Sequence, residues 1–338
     1  MADLVDDFAS LRIKRVVRET GDAVSLVLDI PEDCAPRFRY QAGQFLTLRV
    51  QLGGDQHRRC YSMSSSPHNG DDLQITIKRD GSGLVSNWLN DSAEVGGHIE
   101  AAPPEGRFVL GDGERDLVAF AGGSGITPIH SLIGAALAGT ARRIRLFYAN
   151  RSSDSVIFAD SLAALAESHP DRLTVRHHFD DVDGIVQPEA IASFIAEAGD
   201  AEYYICGPGP FMDAVESAVM QTGTPRSRIH LERFEVATVS AEETAASVTE
   251  EVTIELDRRK TTVEYRAGNT LLQTARIAGL RAPSSCETGS CGTCMARIVE
   301  GSAHMLNNDA LDDDEVADGW VLTCQSLPTS RTVRVVYE

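Results

Sequence analysis

Four cysteines crowd the last fifth of the chain at intervals that leave few arrangements open. Cys286, Cys291, Cys294 and Cys324 are separated by four, two and 29 residues. That is the ligand spacing of a [2Fe–2S] cluster, and the reason is geometric. Three thiolates and several backbone N–H groups must converge on one small anionic cluster, so the loop joining them curls tightly over it. Gly289 and Gly292 let the backbone approach where a Cβ would collide, and the N–H dipoles offset the cluster's negative charge. A zinc site would bring paired C-x2-C units, and only one such pair is present here. The chain has seven cysteines, an odd number, and their clustering favours metal in a reducing compartment over disulfides.

The rest of the chain bounds the setting. At 338 residues it is too long for one ordinary core and suits two or three domains. A formal net charge of −19 repels polyanions, so neither nucleic acid nor an anionic membrane is expected as a partner. Met1–Asp7 carries acids where a signal peptide would be positive. No apolar run approaches the ~20 residues of a membrane span. A cytoplasmic protein is the expectation.

Two rhythms follow one another along the first 234 residues. Short runs at Leu11–Arg18, Ala23–Ile30, Gln44–Val50, Arg59–Ser65 and Leu73–Arg79 read as strands of an antiparallel β-barrel over residues 8–112, with one helix near Leu84–Leu89. From there strands alternate with helices, beginning with the apolar run Leu117–Ala121, which predicts an α/β domain with a parallel sheet over 113–234. Its ligand belongs at the carboxyl ends of the strands. Residues 235–250 are rich in Ser, Thr, Ala and Glu and read as a linker on which the last domain, 251–338, can swing.

The motifs sit where those rhythms put them. On a barrel strand, Arg59-Cys60-Tyr61-Ser62 resembles the R-x-Y-S motif of the ferredoxin–NAD(P) reductase superfamily. An arginine can neutralise a pyrophosphate, a tyrosine can stack on an isoalloxazine, and a serine hydroxyl can bond the flavin N5. Thr76-Ile77-Lys78 resembles the next flavin-contacting strand, and Gly83-Leu84-Val85-Ser86 the phosphate loop, with Val85 and Ser86 at a helix start. FAD is therefore implied. Cys60 reads as packing within the motif, and Trp88 as a barrel plug. After the apolar strand, Gly123-Ser124-Gly125-Ile126-Thr127-Pro128 opens a helix whose N–H groups can hold a dinucleotide pyrophosphate. Cys206-Gly207-Pro208-Gly209-Pro210-Phe211-Met212 resembles the family's C-G-P motif, whose cysteine lies beside the nicotinamide, with Phe211 and Met212 on the adenosine side. Arg151 follows the second parallel strand, where a cation could serve a 2′-phosphate. No second cation follows it nearby, and NADH is favoured over NADPH.

In order, flavin domain, nicotinamide domain and C-terminal β-grasp ferredoxin domain resemble the reductase components of multicomponent oxygenases, and most closely the reductases of 3-ketosteroid 9α-hydroxylases. Tyr148-Ala149-Asn150-Arg151, Val156-Ile157-Phe158 and Cys324-Gln325-Ser326 carry this resemblance along with the motifs above. It implies an NADH-dependent oxidoreductase in which electrons pass from NADH to FAD, to the [2Fe–2S] cluster and to a terminal, Rieske-type oxygenase. It also implies that Ser62, Thr127, Cys206 and Glu232 surround the reacting flavin edge and that Phe234 lies over the ring. Reductases of phenylacetyl-CoA-type oxygenases or acyl desaturases are the alternatives within the family, and a non-enzymatic carrier or redox sensor is the alternative outside it. Asp312-Asp313-Asp314-Glu315 reads either as a helix start or as an edge that steers a basic partner.

Overall fold

Alternation builds the first sheet. In β1 (Ala9–Thr20) Ala9, Leu11 and Ile13 are buried while Ser10, Arg12 and Lys14 are exposed, the two-residue period of a strand with one wet face. It is joined by β2 (Ala23–Asp29), β3 (Phe45–Leu52), β4 (Asp55–Ser62), β5 (Gln74–Lys78) and, after helix α1 (Leu84–Ser92), β6 (His98–Ala101), in the order β4-β3-β6-β1-β2-β5. A bridge from Met63 to Ile75 and a 2.8 Å hydrogen bond from the Ser64 N–H to the Gln74 carbonyl draw the outer strands together, closing a barrel. Leu11, Leu26, Leu46, Leu48 and Ile75 fill it, and α1 adds Val85 and Leu89 with Trp88 packed against them. β6 has no counterpart among the expected strands, because four residues are too few to display a period.

The computed structural model describes residues 8–68, 70–234, 239, 244 and 247–338, and the chain divides into two units, Met1–Glu232 and Arg233–Glu338. Most of the expected linker, residues 235–238, 240–243, 245 and 246, lies outside the described residues. Within the first unit the barrel is followed by β7 (Asp116–Gly122), α2 (Ile126–Gly139), β8 (Ile144–Asn150), α3 (Ala159–Ser168), β9 (Leu173–Phe179), α4 (Asp180–Asp183), α5 (Pro188–Ala196), β10 (Ala201–Cys206), α6 (Gly209–Gln221) and β11 (Ile229–Glu232). The five strands are parallel in the order β11-β10-β7-β8-β9. Alternate residues of β7 feed two cores, Leu117, Ala119 and Ala121 on one face and Val118 and Phe120 on the other. Burial on both faces explains why the strand reads as a continuous apolar run. Strand order reverses between β7 and β10, so the crevice for a ligand opens at their carboxyl ends.

The second unit is a mixed sheet with a helix packed on it. β12 (Glu251–Leu256), β13 (Arg259–Glu264), α7 (Leu271–Ile277), β14 (Met295–Glu300), β15 (Ala303–Met305), α8 (Asp313–Ala317), β16 (Trp320–Leu322), β17 (Ser326–Pro328) and β18 (Thr332–Val336) follow in turn. The main sheet runs β13-β12-β18-β14-β16, with β12 and β18 parallel. Leu271, Leu272 and Ala275 of α7 pack on Val252, Ile254 and Val335. A capping box, Thr270 with Gln273, starts that helix. This is the β-grasp arrangement expected of a ferredoxin. Among the described residues no helix is long and apolar enough to cross a membrane.

The acidic run has a structural use. Asp312 Oδ1 accepts the Glu315 N–H at 2.7 Å, and Glu315 Oε2 accepts the Asp312 N–H at 3.0 Å, a second capping box at the start of α8. Asp312→Ala should therefore lower stability by about 1 kcal/mol in denaturant unfolding. Asp313→Ala, which removes no cap, should have the smaller effect.

Candidate functional site

The cysteine loop arranges its sulfurs as two pairs. Cys286 lies within hydrogen-bonding distance of Cys291, and Cys294 within hydrogen-bonding distance of Cys324. The bond from Cys291 is the main cause that pulls the Cys286 thiol down to about 5, and Cys324 lowers Cys294 in the same way. In each pair the bond thus favours the thiolate, the form that binds metal, on one of the two sulfurs. Among the described residues no group of three or more His, Cys, Asp or Glu side chains gathers closely enough to hold a single ion. Two pairs of sulfurs suit two irons, each taking two protein ligands.

The loop around them is held in an unusual backbone path. Gly289 and Gly292 have φ of +92° and +78°, and Glu287 is left-handed at +59° without being glycine. Strain of that kind persists only where the surroundings enforce it. Arg276 grips the Glu287 carboxylate at 2.6 Å, Gln325 Nε2 donates to the Glu287 carbonyl at 2.7 Å, and Asn307 Nδ2 donates to the Thr288 carbonyl at 2.6 Å. Backbone N–H groups of Thr288 and Ser290 point to Cys286, and that of Thr293 donates to Cys291 Sγ at 3.4 Å. Arg276, Asn307 and Gln325 were not among the expected site residues; they brace the loop across 11, 19 and 38 positions, and no spacing announces them. Phe234 belongs to this second unit and is 42% exposed.

In the first unit the ends of three parallel strands converge. Cys206 on β10 lies in register between Ala121 on β7 and Glu232 on β11. Gly125 passes so close that a Cβ there would stand 2.1 Å from the Cys206 carbonyl oxygen; only glycine fits. Thr127, in the first turn of α2, is buried and donates its hydroxyl to the Ser124 carbonyl at 3.0 Å, with Pro128 buried beside it. From the barrel, Ser62 at the end of β4 donates its hydroxyl to Glu232 Oε2 at 3.0 Å. Ser62, Cys206 and Glu232 are all buried. Two of the expected catalytic residues, 170 positions apart, are thus hydrogen-bonded, and a third is in strand register with one of them.

The flavin motifs divide between surface and core. Arg59 is exposed on β4, and Tyr61 is half-buried with its phenol pushed well up by burial. Cys60 Sγ lies 3.4 Å from the Thr47 hydroxyl. Thr76 hydrogen-bonds the hydroxyls of Ser25 and Ser64, and Ile77 is sealed in the barrel. Ser86 turns its hydroxyl back to the Gly83 carbonyl at 3.2 Å. No side chain caps the start of α1, and Gly81, Ser82 and Gly83 line an open depression against it. An uncapped helix start beside an open hollow fits a phosphate group.

A cleft of about 390 Å³ opens at the strand ends, between the glycine turn, the Gly207-Pro208 turn and Asn150-Arg151. Ile185, Val186, Phe211 and Ala214 give it an apolar wall, while Met212 is sealed in the core below. Lys78 reaches it from the barrel, its ammonium lowered from the usual lysine range chiefly by burial. Size, apolar wall and few polar groups are what a dinucleotide site requires.

Known proteins share this organisation. Residues 10–110 match the family described as oxidoreductase FAD-binding domain, 120–217 the oxidoreductase NAD-binding domain, and 254–329 the 2Fe-2S iron-sulfur cluster binding domain. The chain is 40% identical to the 3-ketosteroid-9-alpha-monooxygenase, ferredoxin reductase component, of Mycobacterium tuberculosis (strain ATCC 25618 / H37Rv), over 99% of this chain and 97% of that one. It is 32% identical to one component of the 1,2-phenylacetyl-CoA epoxidase of Escherichia coli (strain K12), over 98% of each. The solved structure of phthalate dioxygenase reductase, described as a modular structure for electron transfer from pyridine nucleotides to [2Fe–2S], superposes with a TM-score of 0.65 at 28% identity over 98% of both chains. With its domains, their order and its full-length relatives in agreement, the chain belongs to the family of oxygenase reductases that join an FAD-binding, an NAD-binding and a [2Fe–2S] cluster-binding domain.

Proposed function

We propose that this reductase draws its electrons from NADH and delivers them to the terminal component of a 3-ketosteroid monooxygenase. The supporting observation is the 40% identity to a ketosteroid monooxygenase reductase component across 99% of the chain. Partnership with a phenylacetyl-CoA-type oxygenase is the second reading, at 32% identity. The four thiols are assigned as cluster ligands, and a cysteine set given to metal and not to disulfides favours a cytoplasmic setting. Arg59, Tyr61, Ser62, Gly83, Val85 and Ser86 are assigned to FAD. Gly123, Gly125, Thr127, Pro128, Gly207, Pro208 and Phe211 are assigned to the dinucleotide. The first of these sets would hold FAD, which would supply chemistry able to take electrons as a pair and pass them on singly, as iron chemistry needs.

The residues around the strand ends hold and shape that site. The Ser62 proton is committed to Glu232, so the hydroxyl oxygen offers lone pairs to a donor on the flavin edge. Cys206, fully buried, belongs to the core beneath the strand ends. NADH is preferred to NADPH because Arg151, the cation after β8, is already paired with Asp22 at 2.8 Å.

Reconstitution decides the partner. With NADH, the purified protein should support turnover by the terminal component of a 3-ketosteroid monooxygenase and not by that of a phenylacetyl-CoA epoxidase; the reverse result would sink the proposal. Cys294→Ser should remove the visible absorption and acid-labile sulfide of the cluster while NADH-dependent ferricyanide reduction continues. Ser62→Ala should slow flavin reduction by NADH about 10²-fold in stopped flow. Replacing Asp313 and Asp314 by Asn, which spares the capping box, should flatten the salt dependence of oxygenase reduction, since exposed charges are screened beyond about 8 Å at physiological ionic strength.

A further inference from the structure

At the mouth of the dinucleotide cleft two cations from different domains converge on one carboxylate. Asp22 sits in the turn between β1 and β2, far along the chain from the parallel sheet. Its Oδ1 accepts the Thr20 hydroxyl at 2.8 Å, which fixes the carboxylate, and its Oδ2 faces Arg151 at 2.8 Å and Lys78 Nζ at 4.0 Å. Arg151 is largely exposed, so the pair stabilises the fold little. Its consequence lies in what else the two cations could bind. Without Asp22, an arginine and a lysine would face the position after β8, where dinucleotide folds receive the adenosine ribose and where a 2′-phosphate would be held.

Beside them is a second, independent feature. Asn150, the last residue of β8, lines the cleft and is 4% exposed, yet neither its Oδ1 nor its Nδ2 has a hydrogen-bond partner among the described residues. The Tyr148 hydroxyl two residues back lies near enough to feel the amide, but its own bonds go to Gly123 and Ile157. A buried amide left unpaired at both ends calls for a ligand group that donates and accepts at once. A ribose 2′-hydroxyl does both. A phosphate ester offers acceptors only, leaving Oδ1 unsatisfied.

We propose that Asp22 and Asn150 together select an unphosphorylated ribose: Asn150 by completing its bonds with the 2′-hydroxyl, Asp22 by neutralising Arg151 and Lys78 and repelling a 2′-phosphate. The inference rests on reading this cleft as the dinucleotide site. Calorimetry on the FAD- and cluster-loaded protein tests it with 5′-AMP and adenosine 2′,5′-bisphosphate as probes. Wild type should bind 5′-AMP more tightly. Asp22→Asn should raise relative affinity for the bisphosphate at least about tenfold, and adding Arg151→Ala should remove that gain. Asn150→Ala should weaken 5′-AMP while leaving 2′-deoxy-5′-AMP unaffected. In steady state, NADPH should gain through KM in Asp22→Asn. An unchanged bisphosphate ratio in Asp22→Asn, a gain that survives Arg151→Ala, or equal losses of both monophosphates in Asn150→Ala would overturn the proposal while 5′-AMP binding keeps the cleft reading intact. Failure of wild type to bind 5′-AMP would overturn both.

Discussion

A carboxylate removed from water must be paired or hydrogen-bonded, and Glu232, 3% exposed, meets that demand through a hydroxyl from another domain. Its partner Ser62 ends a strand of the barrel, while Glu232 ends the edge strand of the parallel sheet. The bond therefore forms only if both strands stop at the right residue and the two sheets meet end to end. Losing the bond would cost about 1–3 kcal/mol, and it acts together with the bonds of His130 to the Ser64 carbonyl and of Ser131 to the Ser65 carbonyl in setting barrel and sheet against each other. The motifs assigned to FAD and to the dinucleotide sit on either side of this junction, so their mutual placement follows from it.

Close packing completes what the hydrogen bond begins. The Cys206 carbonyl packs so closely on Gly125 that a Cβ would not fit between the glycine turn and the strand end. Tyr148 ties the same turn to Ile157 on the far side of β8. Chemistry at such strand ends depends on positions held to within fractions of an ångström. Here those positions come from backbone contact, which varies less than side-chain contact.

What the sequence disclosed follows the range of the interactions involved. The cysteine intervals and the apolar run of β7 report local geometry, and each is legible because one segment carries the whole signal. β6, β11, β15 and β17 have only three or four residues and depend on neighbours for their existence, so no period marks them. Asp22 and Arg151 meet across 129 positions, and Arg276 meets Glu287 around a loop whose strain no composition reveals. Ile77 and Met212 show another limit. Each lies inside a motif, yet each is sealed in a core, because a motif records packing needs as faithfully as ligand contacts.

The exposed edge of the second unit carries a consequence for how other chains can approach it. β13 ends the sheet with Arg259, Lys260, Thr262 and Glu264 turned to water, and the opposite edge, β16, is three residues long. Open strand edges invite a foreign strand to continue the ladder, and charged or very short edges discourage it. A visiting protein gains nothing here from extending the sheet by backbone pairing. Its recognition must be written in surface shape and charge, which allows quick release between successive deliveries and spares a crowded solution of these chains from stacking into fibres.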